Sequence, residues 1–133
     1  MAVTATVFTT LACLLHVFIF YMESLAWAGP RARTAFGMTA EQARNTRELA
    51  FNQGFYNLFL AIEAILGVVL RVAGGPESGF QAGTALVLFG TGSMLAAALV
   101  LALKSPAHRG AALKQGFLPM VAIVCLALGV ILG

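Results

Sequence analysis

Two ionisable side chains, His16 and Glu23, stand seven residues apart in or beside an apolar block. Asn52, Gln53, Tyr56, Asn57 and Glu63 form a second cluster in another apolar stretch, and Lys114 and Gln115 open a third. A carboxylic acid in an apolar site suits proton donation or proton-coupled binding near neutrality. An imidazole beside it can shuttle that proton, because its charge change lies close to physiological pH. Amides and a phenol within reach can orient a polar substrate group. These residue types point to acid–base chemistry, with a hydrogen-bond network that fixes helix packing as the competing reading.

The elements that position these residues follow from composition. The chain has 133 residues, 60% hydrophobic and only 10% charged, with a mean hydropathy of +0.92. A soluble domain carries about 25% charged residues, so this chain lacks the polar surface that water requires. Its apolar residues fall into four blocks, Ala2 to Met22, Leu49 to Leu70, Ala82 to Leu103 and Gly116 to Leu132. Blocks of about 17–26 residues can cross a hydrocarbon core of roughly 30 Å as helices. Helices satisfy every backbone group within the segment, and the alternating short strands of a membrane barrel are absent. The expected fold is all-α, a single transmembrane domain over residues 1–133. It is a four-helix bundle with helices at about 3–28, 40–72, 82–103 and 113–132. The first block has no preceding Lys or Arg and is too long for the apolar core of a signal peptide, so it reads as a retained span.

Connections are marked by turn residues, Gly29-Pro30, Phe36-Gly37, Gly74-Gly75-Pro76 and Ser105-Pro106. Thr39-Ala40-Glu41-Gln42 matches a capping box. From Ala40 to Arg71 only Gly54 and Gly67 weaken a helix, so the spacing predicts one helix of about 48 Å whose first turns leave the membrane.

Basic residues set the orientation. Arg31, Arg33, Arg44 and Arg47 fill the first loop, and Lys104, Arg109 and Lys114 the third, with His108 beside them. Both loops are expected on the cytoplasmic side, with both termini outside, in the inner (cytoplasmic) membrane of a bacterium. The net charge of +3 is this loop bias. Anchoring to anionic headgroups accounts for it without nucleic acid. Cys13 and Cys125 lie within apolar blocks without metal-ligand spacing and read as packing residues. No metal site is expected.

Helical geometry sharpens the candidate site. Cys13, His16, Phe20, Glu23 and Trp27 share one face of span one. Glu48, Asn52, Tyr56, Phe59 and Glu63 share one face of span two, with Gln53 and Asn57 about 100° around. Turning these faces together gives two polar layers. Counted from the cytoplasmic helix ends, Glu23 lies about 7 Å deep, near Asn52 and Gln53 at about 5 Å, Tyr56 at about 10 Å, and Lys114-Gln115. His16 at about 18 Å should level with Glu63 at about 21 Å. Gln53-Gly54-Phe55 and Gln115-Gly116-Phe117 open spans two and four, which hints at a parallel duplication. Gly90-Thr91-Gly92-Ser93 offers a small-residue surface for helix packing or an oligomer contact.

The run from Leu15-His16-Val17-Phe18 through Tyr21-Met22-Glu23, then Trp27, Pro30, Arg31 and Phe36-Gly37, then Asn52-Gln53-Gly54-Phe55-Tyr56-Asn57-Leu58-Phe59, resembles a known family. That family comprises small bacterial four-span membrane proteins, the domain of unknown function 1304. The likeness covers the whole chain, with Gln115-Gly116 its main mark in the second half. It implies that the histidine, glutamate and amide cluster is the family's hallmark, and it supplies no activity.

The leading reading is an intramembrane enzyme acting on a lipophilic small molecule. His16, Glu23 and Tyr56 would do the chemistry, and Asn52, Gln53, Asn57, Glu63 and Gln115 would hold the substrate. A second reading is an ion or small-molecule transporter coupled through Glu23 or Glu63. Four spans are few for a pathway, so it would need a homo-oligomer, and broken helices are lacking apart from a possible kink at Pro119. A third is a haem protein with His16 as axial ligand; otherwise no cofactor is expected. The enzyme reading predicts that Glu23→Gln or His16→Ala leaves a folded, membrane-inserted protein without turnover. Loss of insertion or fold in both, seen by gel filtration and circular dichroism, would make the network structural.

Overall fold

A computed structural model describes residues 2–132. Among the described residues there are six α-helices: α1 (Ala2–Phe20), α2 (Pro30–Phe36), α3 (Ala40–Asn45), α4 (Arg47–Ala73), α5 (Phe80–Lys104) and α6 (Arg109–Leu132). A wide π-turn over Tyr21–Leu25 prolongs α1, a second over Gly75–Gly79 leads into α5, and a 3₁₀ turn at Pro106–His108 precedes α6. Four segments are long and apolar enough to cross a membrane: Ala2–Leu25, Arg47–Ala73, Glu77–Lys104 and Pro106–Leu132. The protein is an all-α, multi-pass membrane protein, and no strand occurs among the described residues.

The four spans form a square. Each packs against its neighbours in sequence, and α6 closes the ring against α1, so α1 faces α5 and α4 faces α6 only across the diagonals. Lipid gives apolar side chains no reason to leave it, so van der Waals packing of small residues must hold such helices together. The buried stripe of α4 is Ala50, Gly54, Asn57, Ala61, Ala64 and Gly67, and that of α5 includes Gly83, Val87, Gly90 and Thr91. At Gly67 a Cβ would stand 2.7 Å from the Val87 nitrogen and 2.8 Å from the Gly83 carbonyl oxygen. Backbone therefore meets backbone in this half of the bundle. Gly90 of the small-residue run packs on Ala64, whereas Gly92 has nothing within reach of an added Cβ.

Three expectations change. The capping box forms, with Thr39 Oγ1 accepting from the Gln42 amide and Gln42 Oε1 accepting from the Thr39 amide. The helix it starts does not run unbroken from 40 to 72, because Thr46 leaves α-helical geometry at φ −106°, ψ 6°. Its hydroxyl donates to the Gln42 carbonyl at 2.7 Å and accepts from the Trp27 indole nitrogen at 3.1 Å. A threonine hydroxyl bonded back to the preceding turn bends a helix, and here the indole fixes the bend. The first span also ends at Leu25 rather than 28, and a short helix, α2, occupies what read as loop. Its C-terminus is closed by Gly37 at φ 64°, a left-handed cap that glycine adopts without penalty.

Gly67→Ala should cost about 1–3 kcal/mol by forcing two backbones apart. Gly92→Ala should stay within about 0.5 kcal/mol. Reversible unfolding of both variants in mixed micelles checks the difference.

Candidate functional site

Glu23 occupies the π-turn that ends the first span, and the turn brings Met22 and Glu23 inward together. Such single wide turns recur at functional sites because they re-aim side chains without ending a helix. Across the seam Asn57 Nδ2 donates to Glu23 Oε2 at 2.9 Å and also to its own helix at the Gln53 carbonyl, 3.2 Å away. Glu23 is 9% exposed and Asn57 4%. The pair is a carboxyl group oriented by an amide, inside a membrane span.

Gly54 sets this geometry. A Cβ there would collide with the Ser24 hydroxyl and come within 3.0 Å of the Ser24 nitrogen and 3.1 Å of Glu23 Cβ. Ser24 Oγ donates to the Phe51 carbonyl at 2.8 Å, which pins the π-turn onto α4. Bringing Gly54 against α1 rotates α4 so that Ala50, Gly54, Asn57, Ala61 and Ala64 face inward. The expected inward face of Glu48, Asn52, Tyr56, Phe59 and Glu63 is therefore corrected. Glu48 and Asn52 are exposed, Tyr56 and Phe59 are more than half exposed, and Glu63 lies on the flank of the buried stripe. Close packing of a glycine outweighs polarity in choosing the rotation.

Glu23 and Asn57 line a chamber of about 1150 Å³ between the four spans at the end where the first and third loops meet. Gln53, Lys114 and Gln115 line it with them, while Phe18, Ile19, Met22, Ala97 and Leu101 form its apolar wall. The two Gln-Gly-Phe segments occupy comparable positions. Gly54 packs on α1 at Ser24, and Gly116 on α5 at Ala98, where its Cβ would be 2.9 Å from that of Ala98. Both preceding glutamines, Gln53 and Gln115, face the chamber from diagonally opposite helices. Aligning Ser24 with Ala98 puts Ala97 opposite Glu23 and Leu101 opposite Trp27. The third span thus contributes only apolar side chains to the chamber, while the first contributes Glu23 beside Phe18, Ile19 and Met22.

The first loop roofs it. Arg31, Thr34 and Phe36 of α2 line the chamber, and the Trp27 and Phe36 rings pack 5.0 Å apart. His108 of the third loop donates from Nε2 to the Phe36 carbonyl at 3.2 Å and accepts at Nδ1 from Ser105 Oγ at 2.6 Å. Trp27, Phe36 and His108 were not among the candidate site residues. Trp27 shares a helical face with Glu23 and could have been found by spacing, whereas Phe36 and His108 meet only through the folded loops.

His16 sits apart. It is fully buried, as are Thr9, Val87, Thr91 and Met94 elsewhere in the bundle interior. Nδ1–H donates to the Ala12 carbonyl at 2.9 Å, so the remaining nitrogen, Nε2, carries the lone pair. Nε2 is buried without a partner among the described residues, and the chamber lining does not include His16. The expected pairing with Glu63 is not formed: no hydrogen bond joins them among the described residues, and Glu63 is partly exposed while His16 is enclosed. Nε2 is enclosed by packed side chains, so a macrocycle could reach it only if the bundle repacked. The haem reading does not fit this bundle.

The family model described as Protein of unknown function (DUF1304) matches residues 10–127. No curated protein and no solved structure matches the chain.

Asn57→Leu should destabilise the fold by about 1–3 kcal/mol, since Glu23 would keep its burial and lose its donor. Adding Glu23→Leu should recover most of that loss, because a buried polar pair replaced as a unit leaves nothing unsatisfied. A double-mutant cycle on unfolding free energies reads the coupling directly.

Proposed function

We propose that this chain, which belongs to the DUF1304 family of proteins of unknown function, is an intramembrane acid–base enzyme acting on a lipophilic small molecule. The observation that carries this reading is the placement of Glu23, a carboxyl group inside a span that is buried, held by one amide donor and on the wall of an open chamber. Ionisable groups buried within a membrane bundle are costly and are kept where they act. Glu23 gives or takes the proton and Asn57 orients its carboxyl. Gln53, Gln115 and Lys114 hold the polar part of the substrate, and Phe18, Ile19 and Leu101 take the apolar part. His16, Asn52, Tyr56 and Glu63 stand outside the chamber lining and have no part in this mechanism.

Transport fits less well. Below the chamber, His16, Thr9, Thr91, Met94 and Val87 are fully buried, so within one chain the chamber has one polar end and a packed floor. The arginines of the first loop and the lysines of the third place the mouth on the cytoplasmic side of the inner membrane in this reading.

Membranes carrying the wild-type chain and the Glu23→Gln variant at equal abundance should differ in a pair of lipophilic compounds, one consumed and one produced by the wild type alone. Loss of a general acid–base group slows turnover by about 10²–10⁴-fold, enough to separate the two by mass spectrometry of lipid extracts. Identical extracts from two folded, inserted proteins would overturn the proposal.

A further inference from the structure

The chamber has a neighbour on the lipid side. A second cavity, of about 650 Å³, lies between α5 and α6, with Leu15 of α1 also in its wall. Ala98, Ala102, Ala112 and Gly116 leave room along the seam, and Leu99, Leu113 and Phe117 form a rim more than half exposed. That exposure is towards hydrocarbon, since these residues lie on membrane-spanning segments. Its volume falls within the about 300–1,000 Å³ usual for small-molecule sites.

Two residues belong to both cavities, Leu15 and Lys114. Lys114 is the one charged residue that lines the groove, and it lines the chamber as well. The chamber adds Arg31 on its roof, and Glu23 is the one acidic residue in either lining. An apolar groove open to lipid thus shares a wall with a chamber lined by two positive charges, Lys114 and Arg31. A molecule that satisfies both parts has a hydrocarbon chain and an anionic head.

We propose that the ligand of this chamber is an anionic membrane amphiphile that enters sideways between α5 and α6. Its hydrocarbon chain lies in the groove along Leu95, Leu99 and Phe117, and its head reaches Lys114 and Arg31 beside Gln53 and Gln115. This assignment rests on the reading of the chamber as a substrate site and names the substrate class. Lateral access suits a lipophilic molecule, which never has to leave the bilayer to reach Glu23. The apolar side of the chamber, around Ala97 and Leu101, then holds the part of the molecule next to the head.

The test is binding, not turnover. The full chain is given equimolar dioleoylphosphatidylglycerol and dioleoylphosphatidylcholine in detergent, and the lipids it retains are counted by native mass spectrometry. One phosphatidylglycerol per chain should be retained in preference to phosphatidylcholine. Lys114→Gln should weaken that retention by about tenfold, the usual effect of losing one charge-assisted contact, and Lys114→Arg should preserve it. Ala102→Trp, which fills the groove, should reduce retention of both lipids. Leu113→Trp, at a position 71% exposed, serves the same purpose should the first variant misfold. Equal retention of the two lipids, or retention unchanged by Lys114→Gln and by the groove-filling variants, would overturn the proposal. The two readings fail separately. Preferential retention that depends on Lys114 without any chemistry lost in Glu23→Gln leaves a binding site and no enzyme. Chemistry lost in Glu23→Gln with retention indifferent to Lys114 leaves an enzyme with a different substrate.

Discussion

The contact between Gly54 and the Ser24–Glu23 segment governs the rest of the site. Helices in lipid gain nothing by hiding apolar side chains from one another, so they settle where backbones can approach most closely. At Gly54 the absence of a side chain lets α4 reach the π-turn, and Ser24 fastens the approach through the Phe51 carbonyl. With that point fixed, the rotation of α4 has no freedom left. Asn57, one turn further along, must point at Glu23, and Asn52 and Tyr56 must point away.

The same physics divides the bundle into a tight half and an open half. Gly67, Gly83 and Gly90 let α4 and α5 close on each other near the second loop, and His16, Thr9, Thr91 and Met94 fill the middle. Towards the first and third loops the spans leave a chamber instead, and the loops fold over it as a roof rather than trailing in solvent. Trp27, Thr46, Phe36 and His108 join that roof to the ends of the spans. A carboxyl group placed in the open half, near its roof, is buried enough to be held by a single amide, yet still borders open space.

The paired Gln-Gly-Phe segments give the chamber an internal logic. Each glycine packs on the preceding span and each glutamine faces the cavity, so the two halves of the chain supply matching walls. They then diverge in chemistry: Glu23 and Trp27 on one side are answered by Ala97 and Leu101 on the other. A largely apolar chamber with a few polar groups, Glu23, Asn57, Gln53, Gln115 and Lys114, orients an amphiphilic molecule without needing many contacts.

Composition and block length by themselves determined the class of this protein. Four long apolar segments with so few charges admit little other than four spanning helices, because lipid requires every backbone group to be paired within its own segment. The heptad spacing of His16, Glu23 and Trp27 put Glu23 on the inner face of the first span, and residue counting put it level with Gln53, Lys114 and Gln115. Thr39 and Gln42 announced a helix start through a local hydrogen-bond pattern that needs no tertiary partner. Only the tertiary structure decided which face of the second span turns inward, since polarity favoured Asn52, Tyr56 and Glu63 while the close approach at Gly54 selected Asn57. It also decided that His16 is sealed from the chamber, that Thr46 breaks the long helix, and that α2 and His108 form a roof. These depend on which residues meet across helices and loops, and that is a matter of packing in three dimensions, which no spacing along one segment encodes.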